Sequence, residues 1–155
     1  MVQKVRDHQT QPRCSHEPKV LVVYNTAYQE KRAQLYRETQ ALHKSKTHKN
    51  KADWESIDAK IDSAVIRFNE EMSRRREYEL HWMTTKGAVK YVRSIMEAID
   101  DGEPVKIITG QGQNSKGRVP LIRKSLMRDY RYRKGITVEV DSDNPGVIYL
   151  AKHLY

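Results

Sequence analysis

The sequence holds a single cysteine, Cys14, so no disulfide can form within the chain, and no Cys/His cluster has zinc-site spacing. Long apolar runs are missing too. The longest is Val20-Leu21-Val22-Val23-Tyr24, far short of the roughly 20 residues that a bilayer core requires. The first residues are polar and include Asp7, Glu17 and several glutamines, which is not the pattern of a secretory signal. These absences lead us to expect no membrane partner and a reducing compartment, the cytoplasm with the nucleus as the alternative. Hydrophobic residues make up only 37% of the 155 residues, with 8% aromatic. That supports a modest core and a long solvated section.

What is abundant is positive charge. Lys and Arg total 29 against 20 Asp and Glu, a net +9, which favours an anionic partner. The excess is uneven: residues 1–51 carry net +7, residues 52–77 net −2, and residues 78–155 net +4. Residues 1–18 contain Pro12 and Pro18 and show no periodicity. We read 1–24 as a mostly disordered tail. From Asn25 onward Tyr28, Leu35 and Leu42 fall at heptad spacing. A polar break at 44–51 follows, and then Trp54, Ile57, Ile61, Ala64/Val65, Phe68 and Met72 recur at helical steps. The spacing predicts an antiparallel helical hairpin over 25–77.

Beyond Arg74-Arg75-Arg76 the period changes. Tyr78-Glu79-Leu80-His81-Trp82 alternates as a strand does. Thr84 or Thr85 can cap a helix whose apolar face is Ala88, Val92, Ile95, Met96 and Ile99. Val105–Thr109 reads as a buried strand. Pro120 suits the first turn of a helix bearing Ile122, Leu126 and Tyr130, which Gly135 would stop. Ile136, Val138 and Val140 alternate as a third strand, Asp143–Gly146 turns, and Val147–Leu150 forms a fourth. The order β-α-β-α-β-β predicts an α/β (α+β) fold, a sheet with helices on one face.

Three constellations carry candidate chemistry. Glu79 and His81 at i and i+2 on a strand would project to one side and divide proton transfer as catalytic groups. In isolation such a pair is more often a plain polar strand face. Thr109-Gly110-Gln111-Gly112 follows a strand, where glycines bring backbone N–H groups close to a phosphate; a tight turn explains it as well. From 116 to 134, Lys116, Arg118, Arg123, Lys124, Arg128, Arg131, Arg133 and Lys134 face Asp129 alone, interleaved with Tyr130 and Tyr132. That composition suits backbone phosphates and unpaired bases. His8, His16, His43, His48 and His153 are scattered in polar context and are expected at the surface. The Arg74–Arg76 run fits either RNA contact or a helix end.

Tyr78–Trp82, Thr109–Gly112, Asn114-Ser115-Lys116-Gly117, Val119-Pro120 and Asp141–Val147 together resemble, in order, the motifs of the small MutS-related (Smr) domain, over about residues 78–150. The helices before them resemble the extension that precedes eukaryotic Smr domains. The resemblance implies an N-terminal helical hairpin followed by a two-layer α/β sandwich over 78–155, like the C-terminal domain of translation initiation factor three. It also implies nucleic-acid binding, and endonuclease activity in many members. Ribosome-associated enzymes that cut mRNA during quality control are among the eukaryotic relatives. It assigns Glu79 and His81 to catalysis, and Gly110, Gln111, Gly112, Asn114, Ser115, Lys116 and Arg118 to phosphate binding. Glu79, Trp82, Gln111, Asn114 and Arg118 replace the family's usual Asp, Gly, Lys/Arg, His and Gly. Three readings therefore stay open: an endoribonuclease acting on single-stranded or ribosome-bound RNA, a non-cutting RNA- or DNA-binding adaptor, and a DNA-nicking endonuclease. No cofactor is expected. A divalent ion on Glu79 and His81 is an alternative, although two ligands alone make a poor site.

Overall fold

The computed structural model describes residues 19–72, 74–111 and 120–153; the expected tail of residues 1–18 lies outside them. Contacts divide the chain into two compact units, one ending at Gln34 and one spanning Leu35–Tyr155. Among the described residues there are four α-helices and one four-stranded sheet, a mixed α/β fold with helices first.

Helix α1 spans Lys19–Ser45, so it starts inside the stretch 1–24 expected to be a tail. The β-branched valines there are poor helix formers, but a helix already nucleated downstream extends through them at little cost per residue. Its stripe is buried at Tyr28, Leu35 and Thr39. The Thr39 hydroxyl is satisfied by the Leu35 carbonyl at 2.9 Å. The polar link forms a 3₁₀ turn, His48–Asp53, and α2 follows over Trp54–Met72, burying Ile61, Ala64, Val65 and Phe68. Residues 38–42 of α1 lie opposite 56–67 of α2 across a groove of about 560 Å³, and Lys46 pairs with Asp58 at 2.7 Å. Two helices joined by this turn therefore precede the sheet, and α2 also packs on it.

The sheet runs β1 (Glu77–Glu79), β2 (Val105–Ile108), β4 (Val147–Lys152), β3 (Ile136–Val140) in spatial order. β1 and β2 are parallel and the other pairs antiparallel. Helix α3 (Thr85–Ala98) makes the crossover between the parallel strands, as they require. Register aligns Tyr78, Ile107, Ile148 and Val140, then Val105, Leu150 and Val138, on one face. Helix α3 and helix α4 (Leu121–Tyr130) cover that face with Ala88, Val92, Ile95 and Met96 and with Ile122, Leu126 and Tyr130. The rings of Tyr78 and Tyr91 meet edge-on at 6.0 Å. Lys152 donates from Nζ to the Met96 and Ile99 carbonyls at 3.1 and 3.3 Å, satisfying acceptors at the C-terminal end of α3. Helix α4 ends at Tyr130, so Gly135 does not stop it. At φ +84, Gly135 instead turns the chain into β3.

β1 is an edge strand, and its outer backbone groups need partners. Asn69 of α2 supplies both: Nδ2 donates to the Glu79 carbonyl at 2.9 Å, and Oδ1 accepts from the Glu79 N–H at 2.8 Å. The Tyr91 hydroxyl also bonds Asn69, yet burial, helped by Tyr78 and Glu70, pushes its pKa up to about 12. At the start of the strand the arginine run is spent on acids. Arg74 pairs with Glu77 at 2.8 Å, Arg75 with Glu103 at 2.7 Å, and Arg76 with both Asp101 and Glu103. The run lies just past the end of α2 at Met72.

Replacing Asn69 with Ala strands both Glu79 backbone groups, and we expect a loss of about 2–3 kcal/mol, read as a lower urea midpoint with unchanged slope. Glu77 gives a pH signature. Burial works against its ionisation, but hydrogen bonds from Arg74 and Lys106 outweigh that and hold its pKa below 4.5. Its stabilising contribution is complete above the ordinary value and is lost as pH falls through the depressed one. Glu77→Gln should therefore lower the unfolding midpoint at pH 7, and the difference from wild type should shrink in strong acid.

Candidate functional site

The carboxyl ends of the two parallel strands, where open α/β sheets hold their ligands, carry the candidate residues. β1 stops at Glu79, so His81 is not on the strand and the two side chains do not share a strand face as expected. The reason is local. Glu79 is 1% exposed, and its Oε1 accepts the His81 N–H at 3.0 Å, bending the chain out of the sheet. The Leu80 carbonyl then accepts from Met83 N at 3.0 Å and closes the turn. Thr84 caps α3 by accepting from Gly87 N at 3.1 Å. Asp62 of α2 secures that cap, accepting from Thr84 N at 2.8 Å and from its hydroxyl at 2.7 Å. Burial pushes the Asp62 carboxyl above its ordinary pKa despite those bonds.

His81 is half-buried and stacks on Trp82, with ring centroids 5.0 Å apart and 19° between planes. Trp82, the bulky residue at the resembled Gly position, is itself 7% exposed. It is covered by Tyr36 of α1, 5.4 Å away between centroids. The ring of His43 lies 3.2 Å from the Trp82 carbonyl through Nε2, so His43 is not the simple surface residue expected. Tyr36 and His43 of α1 thus pack on the Trp82 side of the turn that carries His81.

Gly110 also lies against the His81 ring. Its φ is +77, and a Cβ there would lie 2.4 Å from His81 Cδ2, so only glycine fits both the backbone and the ring. Gly146 is needed for a second close approach, since a Cβ on it would lie 2.9 Å from the Gly110 carbonyl carbon. The Gly146 carbonyl accepts from Thr109 N at 2.8 Å, Gly110 N at 3.1 Å and the Thr109 hydroxyl at 3.1 Å. The Gly110 amide, expected to cradle phosphate, is therefore committed to the fold. Gln111 is exposed and donates from Nε2 to Asn144 Oδ1 at 3.0 Å. Gly112, Asn114, Ser115, Lys116 and Arg118 lie outside the described residues.

The basic tract divides. Arg123 donates from Nη1 to the Pro145 carbonyl at 2.7 Å, beside the Gly146 turn. Tyr130 is 2% exposed and belongs to the core, where burial raises its hydroxyl pKa, so it is not a stacking surface for a base. Lys124, Arg128, Arg131, Tyr132, Arg133 and Lys134 are exposed. Arg128 approaches Asp129 at 3.6 Å, an exposed contact of little energy. Among the described residues, Lys124, Arg131, Arg133 and Lys134 make no ion pair.

Sequence reasoning missed Asn69, Asp62 and Tyr36. The signal for Asn69 is an amide set within the apolar stripe of Val65, Phe68 and Met72. Among the described residues no three His, Cys, Asp or Glu side chains gather into a metal-binding group, and no helix is long and apolar enough to cross a membrane. Compared with known protein families, curated proteins and solved structures, the chain matches none.

Gly110→Ala should force the imidazole out of its position. We expect a lower thermal midpoint and a shifted His81 ring signal in NMR spectra, while Gly102→Ala, whose added Cβ meets only ordinary contact at 3.6 Å, leaves that signal in place.

Proposed function

We propose that this protein binds nucleic acid, RNA in the first instance, through the exposed face of α4 and the turn that follows it. The observation that carries this reading is the set of exposed cations, Lys124 on α4 and Arg131, Arg133 and Lys134 around the exposed ring of Tyr132. A solvated helix normally mixes charges of both signs, whereas this one offers Asp129 alone against six cations from Arg123 to Lys134. Guanidinium groups suit phosphate, and an open aromatic ring suits a base that is not already stacked. The motif order shared with the small MutS-related domain points the same way.

A second reading, phosphodiester cleavage at His81, is favoured by one feature. The imidazole stacks on Trp82 and lies against Gly110 at the carboxyl ends of parallel strands. An imidazole can take the proton of an attacking 2′-hydroxyl or return one to the leaving oxygen. Glu79, buried and bonded to the His81 N–H, serves in this reading as a positioning residue, so the proton work falls to His81. Ribosome association and a role in mRNA quality control are the wider setting that the resemblance suggests.

Fluorescence anisotropy with a labelled single-stranded RNA tests the binding. Wild type should bind with strong salt dependence, and Arg131→Ala/Arg133→Ala should weaken it at least about tenfold, flattening the log–log salt slope by roughly 0.7 for each phosphate that is no longer neutralised. Binding that is unaffected by the double variant would remove this surface from the interface. End-labelled RNA incubated with wild type and with His81→Ala, each with magnesium and with EDTA, tests cleavage. Products from wild type alone assign His81 to the reaction, and equal products from both exclude it.

A further inference from the structure

The cations that follow one another in sequence sit at opposite ends of the sheet. Register places Glu79, Ile108 and Val147 together at the end that carries His81, and Val105, Leu150, Lys152 and Ile136 toward the other. Helix α4 starts at the histidine end, where Arg123 bonds Pro145, and its last residue leads through 131–135 into Ile136. Ten helical residues separate the two ends by about 15 Å.

The far turn is ordered by its own bonds. Arg131 N donates to Met127 O at 2.9 Å, Arg133 N to Tyr130 O at 3.1 Å, and Ile136 N to Arg133 O at 3.2 Å. The Arg133 guanidinium lies 4.8 Å from the centroid of the buried Tyr130 ring, which anchors it in place. Tyr132 stands at the tip, 87% exposed, with the Arg131 guanidinium 5.6 Å from its ring centroid. An aromatic ring this open and held on a short bonded turn costs little ordering entropy when a flat partner stacks on it. Its neighbours Arg131, Arg133 and Lys134 suit the phosphates on either side of that base.

Taking nucleic-acid binding as proposed above, we infer that the 131–134 turn is a separate anchoring subsite for an unpaired base. Tyr132 stacks the base and Arg131, Arg133 and Lys134 hold the flanking phosphates, while the same strand continues along α4 toward the histidine end. With about 3.4 Å per nucleotide in a stacked strand, spanning about 15 Å takes roughly five nucleotides. Strands shorter than that engage one end only, and longer ones gain the avidity of two linked contacts. A duplex keeps its bases stacked on each other and gains nothing from Tyr132.

The test is anisotropy titration with labelled oligoadenylates of three, six and twelve nucleotides and with a twelve-base-pair RNA duplex, using wild type, Tyr132→Ala and Tyr132→Phe. Wild-type affinity should rise at least about tenfold between three and six nucleotides. Tyr132→Ala should bind the longer single strands about tenfold more weakly, lose that step and leave duplex binding unchanged, and Tyr132→Phe should behave as wild type. Circular dichroism checks that the exposed substitution leaves the fold intact. Equal weakening on duplex and single strand, or no change with Tyr132→Ala, would overturn the subsite while leaving binding itself in force. Failure of wild type to bind any of the probes would overturn the subsite and the nucleic-acid reading together.

Discussion

The Gly146 carbonyl, with three donors from Thr109 and Gly110 upon it, locks the carboxyl end of β2 to the start of β4. The two backbones come this close because Gly146 has no Cβ, which would lie 2.9 Å from the Gly110 carbonyl carbon. Gly110, at φ +77, leaves the space that the His81 ring fills. A loop that looks built to cradle an anion spends the Gly110 amide on the fold.

The turn that carries His81 depends on α2 and α1. Asn69 seals the outer edge of β1 and holds Glu79 from the backbone side, while the Glu79 carboxylate turns inward to the His81 N–H. A buried carboxylate needs such a donor, since burial without one would be costly. Trp82 then swings beneath His81 and is covered by Tyr36. The helices before the sheet therefore support the turn that carries His81: Asp62 of α2 secures the cap of α3, and His43 of α1 reaches the Trp82 backbone.

Charge is arranged on a different principle. At the start of β1 the arginines are matched by acids, which fixes the sheet edge and leaves little for a ligand. On α4 and the turn after it Lys124, Arg131, Arg133 and Lys134 have no acidic partner among the described residues, and like charges held close together destabilise a fold unless a counter-charge arrives. The contrast between paired arginines at one place and exposed ones at another is what gives the α4 surface its meaning.

Much of the architecture was legible in the residues alone. The stripes from Ile61 to Phe68, Ala88 to Met96 and Ile122 to Tyr130, and the alternation from Ile136 to Val140, determine helices and strands because periodicity acts over neighbouring residues. The Thr84 cap and the Asp143–Gly146 turn are local chemistry of the same kind. What the tertiary structure decided was which groups meet. That β1 ends before His81, that Tyr130 faces the core, that Asn69 caps a strand edge and that Arg123 and Arg133 lie at opposite ends of the sheet all depend on partners distant in the chain. Spacing in sequence carries no information about those contacts, because they are set by strand register and by helices closing over the sheet.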